Sequence, residues 1–260
     1  MIQFFDSDGL RLAYIDVAAH GRDRGEPILL IHGFASNHRV NWVNPRWVET
    51  LTGDGRRVIA LDNRGHGESD KPTDPAAYDS PLMAADARRL LDHLGVVRAD
   101  VMGYSMGARI AAFLALADPG RVRRLILGGL GDRLVEGVAL PLGIAGAMEA
   151  PSLDALTDPM QRMFRAFADQ TKSDRVALAA CIRGSRQTLT RAEAAHIACP
   201  TLVAVGTRDA VAGDPRALAA MLPHASVLEI PNRDHNLAVG DKVHKAGVLA
   251  FLAAAAPDGG

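Results

Sequence analysis

Ser105, Asp209 and His235 lie far apart in the chain, yet their types are those of a proton relay built around a nucleophile. A serine hydroxyl attacks poorly at neutral pH unless a base takes its proton, and histidine titrates in the right range. The histidine needs an acceptor for its other ring N–H, which holds the tautomer and steadies the imidazolium; a carboxylate does this. Ser105 sits in Gly103-Tyr104-Ser105-Met106-Gly107, a G-x-S-x-G spacing. Each of the three follows an apolar, strand-like run: Ala99 to Met102, Thr201 to Val205 and Val227 to Ile230. Taken singly, Asp209 reads as a turn aspartate and His235 as a surface histidine. Their joint position after strands favours the relay. Asp214 is a second candidate acid, although a place before Pro215 and a helical pattern also explains it as an N-cap.

The elements around these residues must bring them together. After the run ending at Met102, the pattern from Met106 to Ala117 is helical, with Ile110, Phe113 and Leu114 on one face. The serine therefore occupies a sharp strand-to-helix turn. Side chains at Gly103 and Gly107 would collide with the neighbouring strand and helix. The first amide of the helix faces a place where negative charge is favoured. Pro27 to Ile31, Val58 to Leu61 and Val122 to Leu127 are apolar throughout, as in strands buried on both faces. They alternate with helical patterns at about 45–52 and, from an expected Ser80 cap followed by Pro81, to His93. That alternation predicts a parallel sheet whose ligands bind beyond the carboxyl ends of the strands. Ile2 to Phe5 and Leu10 to Val17, joined at Ser7-Asp8-Gly9, predict an antiparallel ribbon at the start. His66, in the charged stretch Asp62 to Asp70, invites a catalytic reading; a loop held by Asp62, Arg64 and Ser69 is the simpler one.

Between Gly131 and His196 the alternation fails. Helical patches (Leu153 to Ala168, Asp174 to Ile182) appear without a strand and predict a helical cap over the strand ends. Its arginines (Arg133, Arg162, Arg165, Arg175, Arg183, Arg186 and Arg191) read as a solvated outer face. Met148, Met160, Met163, Phe164 and Phe167 either pack the cap on the body or line a pocket. The sheet pattern resumes at Thr201, and Val243 to Ala254 predicts a closing helix. The expected fold class is α/β: a mostly parallel twisted sheet of about eight strands, helices on both faces and a cap inserted after the sixth strand. The expected division is a core of residues 1–130 and 196–260 and a cap of 131–195.

Composition narrows the function classes. A chain of 260 residues can bury one sizeable core. A net charge of −1 argues against a nucleic-acid partner, which needs a basic face. Cys181 and Cys199 read as buried thiols. The acidic start, Met1 to Asp6, lacks the basic and apolar blocks of a signal peptide, and no apolar run reaches the roughly 20 residues of a membrane span. A cytoplasmic location with no membrane partner is expected, with a frayed tail at Pro257 to Gly260. Without metal-spaced ligands or a dinucleotide fingerprint, neither a metal nor another cofactor is expected.

Five stretches carry a resemblance covering nearly the whole chain: His32-Gly33-Phe34, Asp62 to Asp70, Gly103 to Gly107, Gly206-Thr207-Arg208-Asp209 and Asp234-His235. The chain resembles the α/β-hydrolase fold superfamily, in its serine-nucleophile branch, and is similar to small carboxylesterases and enol-lactonases. The order Ser, Asp, His is that superfamily's triad order. The resemblance implies Ser105 as nucleophile, Asp209 as acid and His235 as base, with the backbone amides of Phe34 and Met106 as the oxyanion hole. Phe34 and Tyr104 are expected to contact substrate. Two positions depart from the pattern: Ala108 replaces a frequent glycine, and Asn232 stands where glycine commonly precedes the histidine, a place that calls for positive φ. Serine at the elbow points away from the dehalogenase and epoxide-hydrolase branches. The branch that cleaves carbon–carbon bonds commonly has Asn before the serine and Trp after the histidine, where this chain has Tyr104 and Asn236. The cofactor-free haloperoxidase branch shares the serine turn but differs around the histidine. The expected function is hydrolysis of small or short-acyl carboxylic esters through an acyl-enzyme on Ser105. The expected partner is a small-molecule ester or lactone. The alternatives are a lactonase, a carbon–carbon bond hydrolase, a haloperoxidase-like enzyme and a non-catalytic small-molecule binder of the same fold.

Overall fold

The structure, a computed structural model, describes residues 1–137 and 140–254; the tail at Pro257 to Gly260 lies outside the described residues. Strands β1 (Ile2–Ser7) and β2 (Leu10–Val17) form a hairpin across Asp8 and Gly9, both at positive φ. Then come β3 (Ile28–Ile31), α1 (Trp47–Gly53), β4 (Val58–Leu61), α2 (Ser80–His93), β5 (Ala99–Tyr104), α3 (Met106–Ala117) and β6 (Val122–Gly128). A helical stretch follows: α4 (Gly143–Glu149), α5 (Pro159–Gln170), α6 (Arg175–Gly184) and α7 (Arg191–Ala195). The sheet resumes with β7 (Thr201–Gly206), α8 (Pro215–Ala219), β8 (Ala225–Ile230) and α9 (Lys242–Ala253).

One eight-stranded sheet runs in the order β1-β2-β4-β3-β5-β6-β7-β8. Pairings from β4 to β8 are parallel; β2 meets both β1 and β4 antiparallel. From β3 the chain first steps to β4 on one side, then to β5 on the other. That reversal leaves a crevice beyond the carboxyl ends of β3 and β5.

The strands are apolar at successive positions because both faces are covered. Leu29, Ile31, Ile59, Leu61, Val101 and Leu127 face the core beneath α2 and α3. Their neighbours Ile28, Leu30, Val58 and Met102 face a second core with Trp42, Trp47 and Leu51 on one flank and Val248 and Leu252 of α9 on the other. Burying each large side chain of this kind stabilises the fold by about 1.5–3 kcal/mol. At the amino-terminal ends of the central strands, fully buried Arg56 and part-buried Arg123 share the buried Asp100 carboxylate at 2.9 and 2.6 Å.

Local chemistry shifts several boundaries from the sequence expectation. Asp79, not Ser80, caps α2: its carboxylate accepts from the Leu82 amide, and Ser80 and Pro81 are the first helical residues. The helix expected at about 45–52 begins at Trp47, and the stretch before it carries a helical turn of its own. Arg39–Val43 form a π-helical turn closed by Asn44 N–H donating to Arg39 O at 2.8 Å. Arg46, at φ 64°, separates it from α1. Pro159 divides the patch from Leu153 to Ala168. A single 3-10 turn (Leu153–Ala155) precedes it, and α5 starts afresh with Asp158 capping the Gln161 amide.

The arginines of the helical stretch are not all a solvated face. Arg133, Arg183 and Arg191 are exposed. Arg165 is buried and donates to Ala147 O and Ala150 O at the end of α4. Arg162 donates to Leu153 O and Leu156 O, and Arg186 to Leu140 O. These helices are short and leave many carbonyls without intrahelical donors, which the guanidinium groups satisfy. Of the two free cysteines, Cys181 is buried and Cys199 partly exposed. No described helix is long and apolar enough to cross a membrane.

His66 holds its loop: it is buried, with Nδ1 bonded to Arg64 O at 2.9 Å. Asp62 accepts from the amides of His38 and Glu68, and Ser69 Oγ donates to Asp62 O. His32 and His244 are likewise buried, with Nδ1 on the carbonyls of Gly33 and Ala238. Burial disfavours the imidazolium and pushes His32 and His244 down to about 4 and His66 to about 3. An unfolded chain therefore binds more protons than the folded one between about pH 4 and 6.5, so stability falls as pH drops through that window. The expected loss is about 2 kcal/mol per histidine at pH 5. Urea unfolding at pH 7.5 and pH 5 should show a much lower midpoint at the acid value; equal midpoints would contradict neutral burial of these rings.

Candidate active site

Ser105 lies between the last residue of β5 and the first of α3, at φ 55° and ψ −115°. A non-glycine residue rarely holds such angles, and the surroundings enforce them here. The Ser105 amide donates to Gly128 O at 2.7 Å, tying the turn to β6. A Cβ at Gly103 would stand 2.1 Å from Gly107 O, and one at Gly107 would stand 2.0 Å from Ile31 O. The two glycines thus let the helix start against its own strand and against β3. Met106, as the first residue of α3, has no intrahelical acceptor for its amide. Among the described residues no backbone carbonyl accepts from the amide of Phe34.

Asp209 follows β7 and His235 follows β8, so the parallel order of the sheet delivers both to the same rim as Ser105. His235 Nε2 lies 2.9 Å from Ser105 Oγ, and His235 Nδ1 lies 2.7 Å from Asp209 Oδ2. The other Asp209 oxygen accepts from the amides of Val211 and Ala212 at 2.8 and 2.9 Å, which aims the carboxylate. Its side chain is fully buried, and Ser105 and His235 are 8% and 7% exposed, so the row is shielded yet reachable from one side. In that arrangement Nδ1 carries the proton facing Asp209, and Nε2 is free to accept from the serine.

The histidine loop is held by contacts with the end of β7 and with Tyr104. Asn232 adopts φ 57° and donates its amide to Thr207 Oγ1. A Cβ at Gly206 would stand 2.2 Å from Arg233 O, so this glycine lets the loop after β8 close on the end of β7. Tyr104 borders the cleft, but its ring packs beside His235 and His244 and its hydroxyl donates to His235 O at 2.6 Å. Burial, then the Asp209 and Asp234 carboxylates, hold that phenol well above its ordinary range, so it stays a donor. Asp214 caps α8 by accepting from Arg216 and Ala217 amides and lies outside the row.

Two hollows meet at Ser105. A small one, about 30 Å³, is bordered by Phe34, Met106, Leu130, Leu140 and Ile182, with Arg109 and Arg186 at its margin. Arg109 is spent on the carbonyls of Arg133 and Gln187. The larger cleft, about 340 Å³, contains His235, Tyr104 and Asn236. Met163, Phe164 and Phe167 of α5 line it, whereas Met148 packs in the core and Met160 lies against it. Phe34 borders both hollows and packs edge-on against Phe164. Ser36 and Asn41, which border the larger cleft, carry no sequence signal beyond their polarity. Among the described residues no group of three or more His, Cys, Asp or Glu side chains could hold a metal ion.

The family model of the alpha/beta hydrolase fold matches residues 26–136. Over 110 residues the chain is 40% identical to the 2-hydroxymuconate semialdehyde hydrolase of Pseudomonas sp. (strain CF600), covering 42% of this chain and 38% of that protein. Matches to the curated relatives span between 31% and 65% of those proteins' own length. A solved hydrolase from Pseudomonas aeruginosa PA01 has a TM-score of 0.79 at 28% identity, covering 97% of this chain and 98% of its own. The enol-lactonase from Burkholderia xenovorans LB400 shares the fold, with a TM-score of 0.77 at 22% identity over 97% and 100% of the two chains.

Replacing Tyr104 by Phe removes the donor that holds His235 O. The expected cost is about 1 kcal/mol of unfolding free energy. The His235 ring should also leave its place against Ser105 for part of the time. Urea unfolding and ring-nitrogen NMR of His235 read the two effects; unchanged stability and an unchanged ring signal would remove the positioning role of Tyr104.

Proposed function

We infer, from a chain that belongs to the α/β-hydrolase fold superfamily and holds Ser105, His235 and Asp209 in one hydrogen-bonded row, that this protein is a serine hydrolase of short-acyl carboxylic esters. The row itself, at 2.9 and 2.7 Å, is the observation that carries the reading. Ser105 Oγ attacks the ester carbonyl while His235 Nε2 takes its proton, and Asp209 stabilises the imidazolium. The carbonyl oxygen, now an anion, accepts from the amides of Phe34 and Met106, each worth about 2.7–4 kcal/mol in the transition state. The tetrahedral centre collapses, the carbon–oxygen bond to the alcohol breaks, and His235 gives the alcohol its proton. Water then attacks the acyl-enzyme with His235 as base, and the acid leaves.

The two hollows divide the substrate. The leaving alcohol must lie where His235 can protonate it, and His235 borders only the larger cleft. The acyl group then points into the small hollow of about 30 Å³, the narrower of the two. That supports acetyl or propionyl esters with varied alcohols. It also favours open-chain esters over lactones, whose acyl and alcohol arms are tied together and cannot part into separate hollows. Against carbon–carbon cleavage stand Tyr104 and Asn236, where that branch commonly has Asn and Trp, and the haloperoxidase-like branch differs around the histidine; a non-catalytic binder would have no need of the proton row. The helices of residues 131–195 are read as a cap on the core of residues 1–130 and 196–260, with α5 forming the roof of the alcohol cleft.

With nitrophenyl esters, kcat/KM should be highest for acetyl or propionyl and at least about tenfold lower at hexanoyl, since overfilling a close-packed hollow costs on the order of 1–3 kcal/mol. Ser105→Ala should lower kcat by roughly 10⁴-fold or more. A fluorophosphonate should label Ser105 in the wild type. A protein that neither labels nor turns over any ester of the series would sink the hydrolase reading; a preference for octanoyl would sink only the acyl assignment.

A further inference from the structure

We propose that Asn41 and Ser36 form a polar subsite in the alcohol cleft, which selects esters whose alcohol carries a neutral acceptor oxygen a few atoms from the ester bond. The inference rests on the ester-hydrolase reading of Ser105 and deepens it. Asn41 is 6% exposed and Ser36 3% exposed, and both line the larger cleft. Among the described residues, Asn41 Nδ2 and Ser36 Oγ have no hydrogen-bond partner. The Asn41 amide cannot simply be turned over. Its Oδ1 accepts from the Gly33 amide at 3.1 Å, so the nitrogen is the atom left over. The π-helical turn at Arg39–Val43 fixes this residue, and such turns recur at functional sites.

Position and charge define the ligand. A Cβ placed at Gly33 would lie 3.7 Å from Asn41 Oδ1 and 3.4 Å from Ser105 Cβ, so amide and nucleophile flank the same glycine. The oxygen that Nδ2 serves therefore belongs near the scissile ester. Among the described residues, no carboxylate, ammonium or guanidinium lines this cleft. A carboxylate there would be buried without a cation, whereas an ether, keto or hydroxyl oxygen accepts from Asn41 and Ser36 at no such cost. Both polar atoms are already buried, and an all-hydrocarbon alcohol would leave them without a partner. A site built this way discriminates against analogues lacking the oxygen more strongly than an apolar wall can discriminate by size.

The test uses isosteric pairs: 2-methoxyethyl, 3-methoxypropyl and 4-methoxybutyl acetate against butyl, pentyl and hexyl acetate. At one spacing the ether should exceed its alkyl partner in kcat/KM by about tenfold or more. Ser36→Ala removes one donor. Asn41→Asp keeps an acceptor for the Gly33 amide and removes the other donor. Each should bring the ratio towards one or below, whereas loss of mere structural support would lower both members of a pair together. The matching methoxy-alcohols and alkanols, titrated into Ser105→Ala protein by NMR, read the subsite without turnover and should differ in the same sense. Alkyl acetates equal to or better than ethers at every spacing would overturn the subsite and leave the ester reading standing. Turnover of no acetate would overturn the ester reading, and the titration would still decide the subsite.

Discussion

A serine held at φ 55° is the constraint on which the rest of the structure turns. Those angles are unfavourable for a side-chain-bearing residue, so something must over-determine them. The hydrogen bond to Gly128 O does so from one side, and the contact of Gly107 with β3 from the other. Both depend on β5 lying between β3 and β6 in a parallel sheet buried on its two faces. The apolar strands are thus part of the site's rigidity. They hold a turn that a lone peptide would relax, with the hydroxyl presented at a sheet edge and the helix amide beside it.

The same sheet explains why residues separated by more than a hundred positions can meet. In a parallel array every strand delivers its following loop to one rim. Asp209 and His235 arrive on adjacent loops, and their mutual distance depends on how closely those loops pack. Gly206 permits the approach, the Asn232 amide is anchored on Thr207, and Tyr104 grips the carbonyl of His235 from below. The hydroxyl of Tyr104, which stands next to the serine in sequence, is therefore committed to the histidine backbone. Its ring packs beside His235 and His244.

The helices between β6 and β7 work under a different rule. They are short, so much of their backbone lacks intrahelical partners, and arginine side chains supply the missing donors. One of these helices, α5, lines the cleft and is tied to the loop after β3: Thr171 Oγ1 donates to Ala35 O, and Phe164 packs on Phe34. Any shift of α5 would be felt by the amide of Phe34. Shape of the cleft and the surroundings of Ser105 are joined through that contact.

Strand periodicity, turn chemistry and the order of serine, aspartate and histidine were legible in the amino-acid sequence, because each is a local pattern or a sequence of local patterns. The elbow glycines and the cap at Asp214 follow from backbone chemistry within a few residues and could be read the same way, whereas the positive φ at Asn232 was implied by the family resemblance. The Asp79 cap, the start of α1 at Trp47 and the break at Pro159 show where local competition between neighbours decides a boundary. Tertiary structure alone decided the partner of the Tyr104 hydroxyl, the burial of Arg165, and which methionines and phenylalanines face the cleft. It alone divided the space at Ser105 into a small hollow and a large one, and left Asn41 and Ser36 facing the latter. These outcomes depend on distances between segments far apart in the chain, and no periodicity within a segment encodes them.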